Sequence, residues 1–79
     1  MAFQIKDNIL LRYIPDEGQT EAVIPRGVEE IADKAFSDCY GLKSVFIPDG
    51  VKRIGRRAFY HCWDMQEVNI PETVTEIGE

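Results

Sequence analysis

Val23-Ile24-Pro25-Arg26-Gly27-Val28 returns as Phe46-Ile47-Pro48-Asp49-Gly50-Val51, and again as Asn69-Ile70-Pro71-Glu72-Thr73-Val74, at a constant interval of 23 residues. Behind that phrase other positions keep step: Ile31, Ile54 and Ile77; Ala35-Phe36 and Ala58-Phe59; Cys39 and Cys62; Leu42 and Met65; Val45 and Val68. A fixed period with apolar positions in register marks a repeat architecture, in which each unit hides its apolar face only against its neighbours. The expected fold is a solenoid, between α/β and mostly β, whose stacked units form a parallel strand ladder. Such a body offers a broad surface and no ready-made catalytic pocket.

Within one period the residues dictate a path. Ser44-Val45-Phe46-Ile47 reads as a short strand with Val45 and Ile47 inward and Phe46 outward. Pro48 ends it, because proline has no N–H to give to a ladder. Asp49-Gly50 turns the chain, and Val51 and Ile54 point back into the core. Gly55 is expected to loosen the chain before Arg56-Arg57-Ala58-Phe59, read as a short helical or 3₁₀ turn that buries Phe59. Cys62 and Met65 then return the chain to the next strand, about 4.8 Å from the last. Full repeats cover 23–45 and 46–68, with a partial third over 69–79, in a repeat region spanning 19–79.

Residues 1–18 follow another rule. Phe3-Gln4-Ile5 and Ile9-Leu10-Leu11-Arg12-Tyr13 are extended runs separated by the turn signal Asp7-Asn8. They predict a β-hairpin that caps the apolar end of the first repeat, since terminal units of a solenoid must show a covered face to water.

The repeating unit resembles the BspA-like class of leucine-rich repeat, whose units read roughly I-P-x-x-V-x-x-I-x-x-x-A-F-x-x-C-x-x-L-x-x-V. Ile24, Pro25, Val28, Ile31, Ala35, Phe36, Cys39, Leu42 and Val45 match one unit. Ile47, Pro48, Val51, Ile54, Ala58, Phe59, Cys62, Met65 and Val68 match the next, with Met65 a mild departure, and Ile70, Pro71, Val74 and Ile77 begin a third. The resemblance implies a leucine-rich-repeat solenoid opened by a short hairpin. Its implied work is protein–protein contact without catalysis, often on bacterial surfaces.

Composition agrees with a small repeat domain. A chain of 79 residues buries only a little over about 60% of its unfolded surface, so one closed core would be marginal. A net charge of −5 opposes general nucleic-acid affinity, which needs a basic footprint. No apolar run is long enough for a membrane span, and no signal peptide is visible. As it stands the chain reads as cytoplasmic; the resemblance implies a cell-surface setting for a longer parent.

Chemistry finds little purchase. Cys39 and Cys62 share a column, where parallel Cβ vectors suit a disulfide poorly, and both are expected to be free buried thiols facing the core. A zinc site would need two further ligands, and His61 is expected to point away from Cys62. No catalytic, cofactor-binding or metal-binding residue is therefore expected. Glu30, Arg53 and Glu76 form one alternating charge column, and Asp33, Arg56 and Glu79 another, both tuning register. Lys52, Arg53, Arg56 and Arg57 read as part of that paired face, with an anchor for an acidic partner as the alternative.

The aromatic residues remain. Tyr40 and Trp63 directly follow the two cysteines, Phe46 shares an outward column with Val23 and Asn69, and Tyr60 and His61 lie in the adjoining loop. Trp and Tyr most often carry interface energy. The candidate partner-binding set is Phe46, Trp63, Tyr40, Tyr60, Ser44, Glu67, Asn69 and Val23, though Tyr40 and Trp63 could instead lid the core. The second function reading is a purely structural one, an N-terminal cap and nucleus of a longer repeat protein. The third repeat stops before its Ala-Phe pair, which predicts an apolar end at Val74, Ile77 and Asn69-Ile70. Self-association or segment swapping through that end is expected, with the hairpin outside the contact.

Overall fold

The computed structural model describes residues 2–78. Two strands open it, β1 (Ala2–Lys6) and β2 (Ile9–Ile14), joined by Asp7 and Asn8. Both turn residues hold positive φ, 53° and 65°. That two-residue turn has the twist that suits a hairpin, and Asp and Asn tolerate it best after glycine. β1 and β2 pair antiparallel, with a bulge between Gln4 and Ile5.

The repeats contribute β3 (Glu21–Val23), β4 (Glu30–Ile31), β5 (Ser44–Phe46), β6 (Arg53–Ile54), β7 (Glu67–Val68) and β8 (Glu76–Ile77). They form two sheets, not the single ladder read from the sequence: β1-β2-β4-β6-β8 and β3-β5-β7. Every contact between repeat strands is parallel and joins residues 23 apart, as in Val45 to Val68 and Arg53 to Glu76. The β4-β6-β8 ladder was not legible because its strands are two residues long, too short to show alternation.

Inward residues of both sheets meet in one core that includes Leu10, Ile31, Ile54, Ala22, Val45, Val28 and Val51. The hairpin joins it as a further rung. β2 pairs parallel with β4, placing Leu10 beside Ile31, and the Tyr13 N–H donates to Ala35 O at 2.8 Å as the Phe36 N–H donates to Ala58 O at 2.7 Å. Tyr13 thus heads the phenylalanine column. Phe3, Tyr13, Phe36 and Phe59 run ring against ring at 4.9, 5.1 and 5.1 Å, spacings typical of favourable offset aromatic pairs. Phe36 is fully buried. Phe59, last in the row, is only half-buried.

Two local expectations are corrected. No helical or 3₁₀ turn forms at Arg56–Phe59; the segment is a string of turns, and no helix occurs among the described residues. Lys34, Asp38, Arg57 and His61 all take positive φ, between 52° and 63°. A left-handed residue every few positions stops a right-handed helix from propagating. Gly55 does not loosen the chain either. It is buried, and a Cβ there would stand 2.5 Å from Asp33 N and 2.7 Å from Ala32 C, in the backbone of the preceding repeat. Glycine is needed at that position for close approach of two backbones.

Candidate functional site

The three-stranded sheet builds the candidate face. Its strands alternate, so Ala22 and Val45 point into the core while Glu21, Val23, Ser44 and Phe46 point out. Val23 is 61% exposed and Phe46 54%, on adjacent rungs of one outward column. Glu21, Ser44 and Glu67 form the neighbouring column. The two columns border a shallow depression of about 310 Å³.

Asn69 is placed in the outward column but is not free for a partner. Its side-chain amide accepts from the Ile47 N–H at 2.8 Å and donates to Ile47 O at 2.8 Å. The β5–β7 ladder has two rungs where β3–β5 has three, and the asparagine amide supplies the missing one. Thr73 does the same at the turn. It stands where Gly27 and Gly50 hold φ of 99° and 106°; its hydroxyl accepts from the Gly50 N–H at 3.1 Å and donates to Val51 O at 2.8 Å.

Tyr40 and Trp63 lie outside the core, 49% and 73% exposed, with ring centres 4.8 Å apart. They do not lid it. His61 lies 5.3 Å from Trp63 and 3.8 Å from Tyr60, and Arg57 sits 5.4 Å above the Tyr60 ring. Asp38 organises this group: it contacts His61 Nδ1 at 2.8 Å and accepts from the Tyr40 hydroxyl at 3.4 Å. The nearby carboxylate raises the Tyr40 pKa above its ordinary value. Asp38 was not singled out from the sequence. Its signal is the 23-residue step to His61, which pairs a carboxylate with an imidazole on the next repeat.

The cysteines are both free, Cys39 buried and Cys62 only half-buried. Burial of both was expected; Cys62 belongs to the last turn, over which less chain is packed. Its thiol donates to Phe36 O at 2.9 Å. The neighbouring Cys62 thiol and then burial push the Cys39 thiol up, which leaves it a poor nucleophile. His61 turns to Asp38 rather than to the sulfur.

One charge column forms as anticipated. Arg53 bridges Glu30 at 3.0 Å and Glu76 at 3.4 Å. In the other, Asp33 Oδ1 accepts from the backbone N–H of Arg56 at 2.7 Å, so its carboxylate caps a turn instead of meeting the guanidinium. The contact proposed for Glu79 lies outside the described residues. At the far end of the ladders, Ile54, Phe59, Met65, Val68, Ile70 and Ile77 help line an apolar depression of about 390 Å³. Ile77 is exposed there while Val74 packs against the core.

Parallel ladders at a 23-residue period, a stacked phenylalanine column and turns in place of helices define a mostly-β repeat protein of the leucine-rich kind. Residues 16–79 match the family described as BspA type leucine rich repeat region (6 copies), and the chain belongs to that family. No curated protein matches it.

Proposed function

We propose that this chain is a protein–protein interaction module, built as a leucine-rich-repeat solenoid, that works by contact and not by catalysis. The observation that carries the proposal is the outward column of the β3-β5-β7 sheet. Val23 and Phe46 stand exposed on a regular, hydrogen-bonded ladder, where large apolar groups gain nothing for the fold and serve contact. The exposed Tyr40–Trp63 pair adds the residue types richest in interface energy. Val23, Ser44, Phe46, Glu67, Tyr40, Tyr60 and Trp63 are the proposed contact residues, and Asn69 supports the ladder beneath them. Affinity capture from the native source with Phe46→Ala/Trp63→Ala, beside thermal unfolding of the same variant, tests this. The expected result is a lost partner with an unchanged cooperative melt; loss of the fold overturns the proposal.

A second reading rests on the apolar depression beside Ile77 and Phe59. It makes this segment a structural nucleus on which a further unit stacks, a second copy among the candidates, because exposed parallel edges recruit strands. Sedimentation over a dilution series separates the two: concentration-dependent mass supports stacking, and a monomer throughout contradicts it.

A further inference from the structure

The two sheets treat charge in opposite ways. On β4-β6-β8 the outward column alternates in sign and pairs within itself, with Arg53 held between Glu30 and Glu76. On β3-β5-β7 the corresponding column is Glu21, Ser44, Glu67. Two carboxylates lie two rungs apart, about 9–10 Å, with a hydroxyl between them and no cation. Among the described residues neither carboxylate has an ion-pair or hydrogen-bond partner, although Lys43 neighbours Ser44 in the chain. Other acids do find partners on the next repeat, Asp33 on the Arg56 N–H and Asp38 on His61. The unpaired stripe runs beside the apolar stripe of Val23 and Phe46, and both border one depression.

We propose that the partner on this face is a basic–apolar protein segment. Its Lys or Arg side chains lie over Glu21 and Glu67 while an apolar side chain seats against Val23 and Phe46. This rests on the contact function proposed above and adds the chemistry of the partner. Charge complementarity selects it: the chain carries a net charge of −5, and like charges brought onto Glu21 and Glu67 are penalised while opposite charges are steered in. The face is also directional. Arg26 and Asp49 line the neighbouring depression with Phe46 and Pro48, so that end carries both signs, while the Glu21/Ser44/Glu67 column carries acids alone and is where the cationic residues of the partner belong.

The test uses two synthetic twelve-residue peptides with identical aromatic and aliphatic positions, one carrying Lys and Arg between them, the other Glu. Binding is titrated by calorimetry against the wild-type chain, Glu21→Gln/Glu67→Gln and Phe46→Ala. The basic peptide is expected to bind at least tenfold more tightly than the acidic one, and the preference should shrink with added salt. The double glutamine variant should lose about three- to tenfold toward the basic peptide, the scale of two exposed ion pairs, with its melting temperature unchanged. Equal binding of the two peptides, or full retention by the glutamine variant while Phe46→Ala loses binding, overturns the charge assignment and leaves the contact face standing. Binding of neither peptide, or binding that ignores Phe46→Ala, overturns both.

Discussion

The β4-β6-β8 ladder and the β3-β5-β7 ladder are made by the same repeat, yet the outward column of one is ion-paired within the molecule and that of the other is not. In the first, Ile31 and Ile54 are buried on the inner side, Ile77 is exposed at the last rung, and Glu30, Arg53 and Glu76 answer one another on the outer side. In the second, the inner side is equally closed by Ala22 and Val45, but the outer side shows Val23 and Phe46 beside unpaired Glu21 and Glu67. Apolar burial fixes the inner faces of both. The outer faces are under no such demand, so a face that remains both apolar and uncompensated points to something outside the chain.

The sharpest way to break the comparison is to remove one phenylalanine from each side of it. Phe36→Ala, taken from the middle of the buried ring column, should cost about 3–5 kcal/mol in chemical denaturation. Phe46→Ala should stay within about 0.5 kcal/mol of wild type; equal losses would make Phe46 a core residue. Gly55→Ala comes next, because its methyl would enter the backbone of Ala32 and Asp33. A loss of about 1–3 kcal/mol is expected, typical of overpacking, and an unchanged melt would show that the repeats can separate there. Asn69→Ala removes both bonds to Ile47 and should cost about 1–2 kcal/mol; amide exchange at Ile47 should quicken with it.

Smaller effects sharpen the picture. The Tyr13 hydroxyl is buried without a hydrogen-bond partner among the described residues, and burial raises its pKa above 10.0. Tyr13→Phe should stabilise the fold by about 1 kcal/mol. The sign of the pH effect follows from linkage. The unfolded chain gives up this proton near pH 10 while the folded chain holds it, so stability falls as pH rises through that range. Tyr13→Phe should remove part of that fall, seen as a flatter plot of melting temperature above pH 10. Smallest of all, Arg53→Gln should cost no more than about 1 kcal/mol, and that cost should fade in high salt, since the bridged groups are exposed.

Much of this was legible in the sequence, and for a physical reason. The period places Ile31 on Ile54, Phe36 on Phe59 and Val45 on Val68, and burial then leaves no choice of which side faces in. The outward placement of Val23 and Phe46 followed from strand alternation, while Tyr40 and Trp63 could equally have lidded the core and the structure exposes both. What escaped depends on backbone contacts that pattern does not encode. Gly55 looks like a hinge until the neighbouring backbone is seen to occupy its Cβ position. Asn69 looks like a surface polar residue until its amide is found completing the strand ladder. Tyr13 looks like the end of a hairpin, although it lies 23 residues before Phe36 and heads its column.

The central claim is that the β3-β5-β7 face, and not the β4-β6-β8 face, meets the partner. Its most direct test is a nuclear magnetic resonance titration of the isotope-labelled chain with the tighter-binding of the two peptides. The account predicts that amide shifts will concentrate at Glu21–Val23, Ser44–Phe46 and Glu67–Val68 and spare Glu30–Ile31, Arg53–Ile54 and Glu76–Ile77. Shifts confined to the second group, or spread evenly over both, would contradict it.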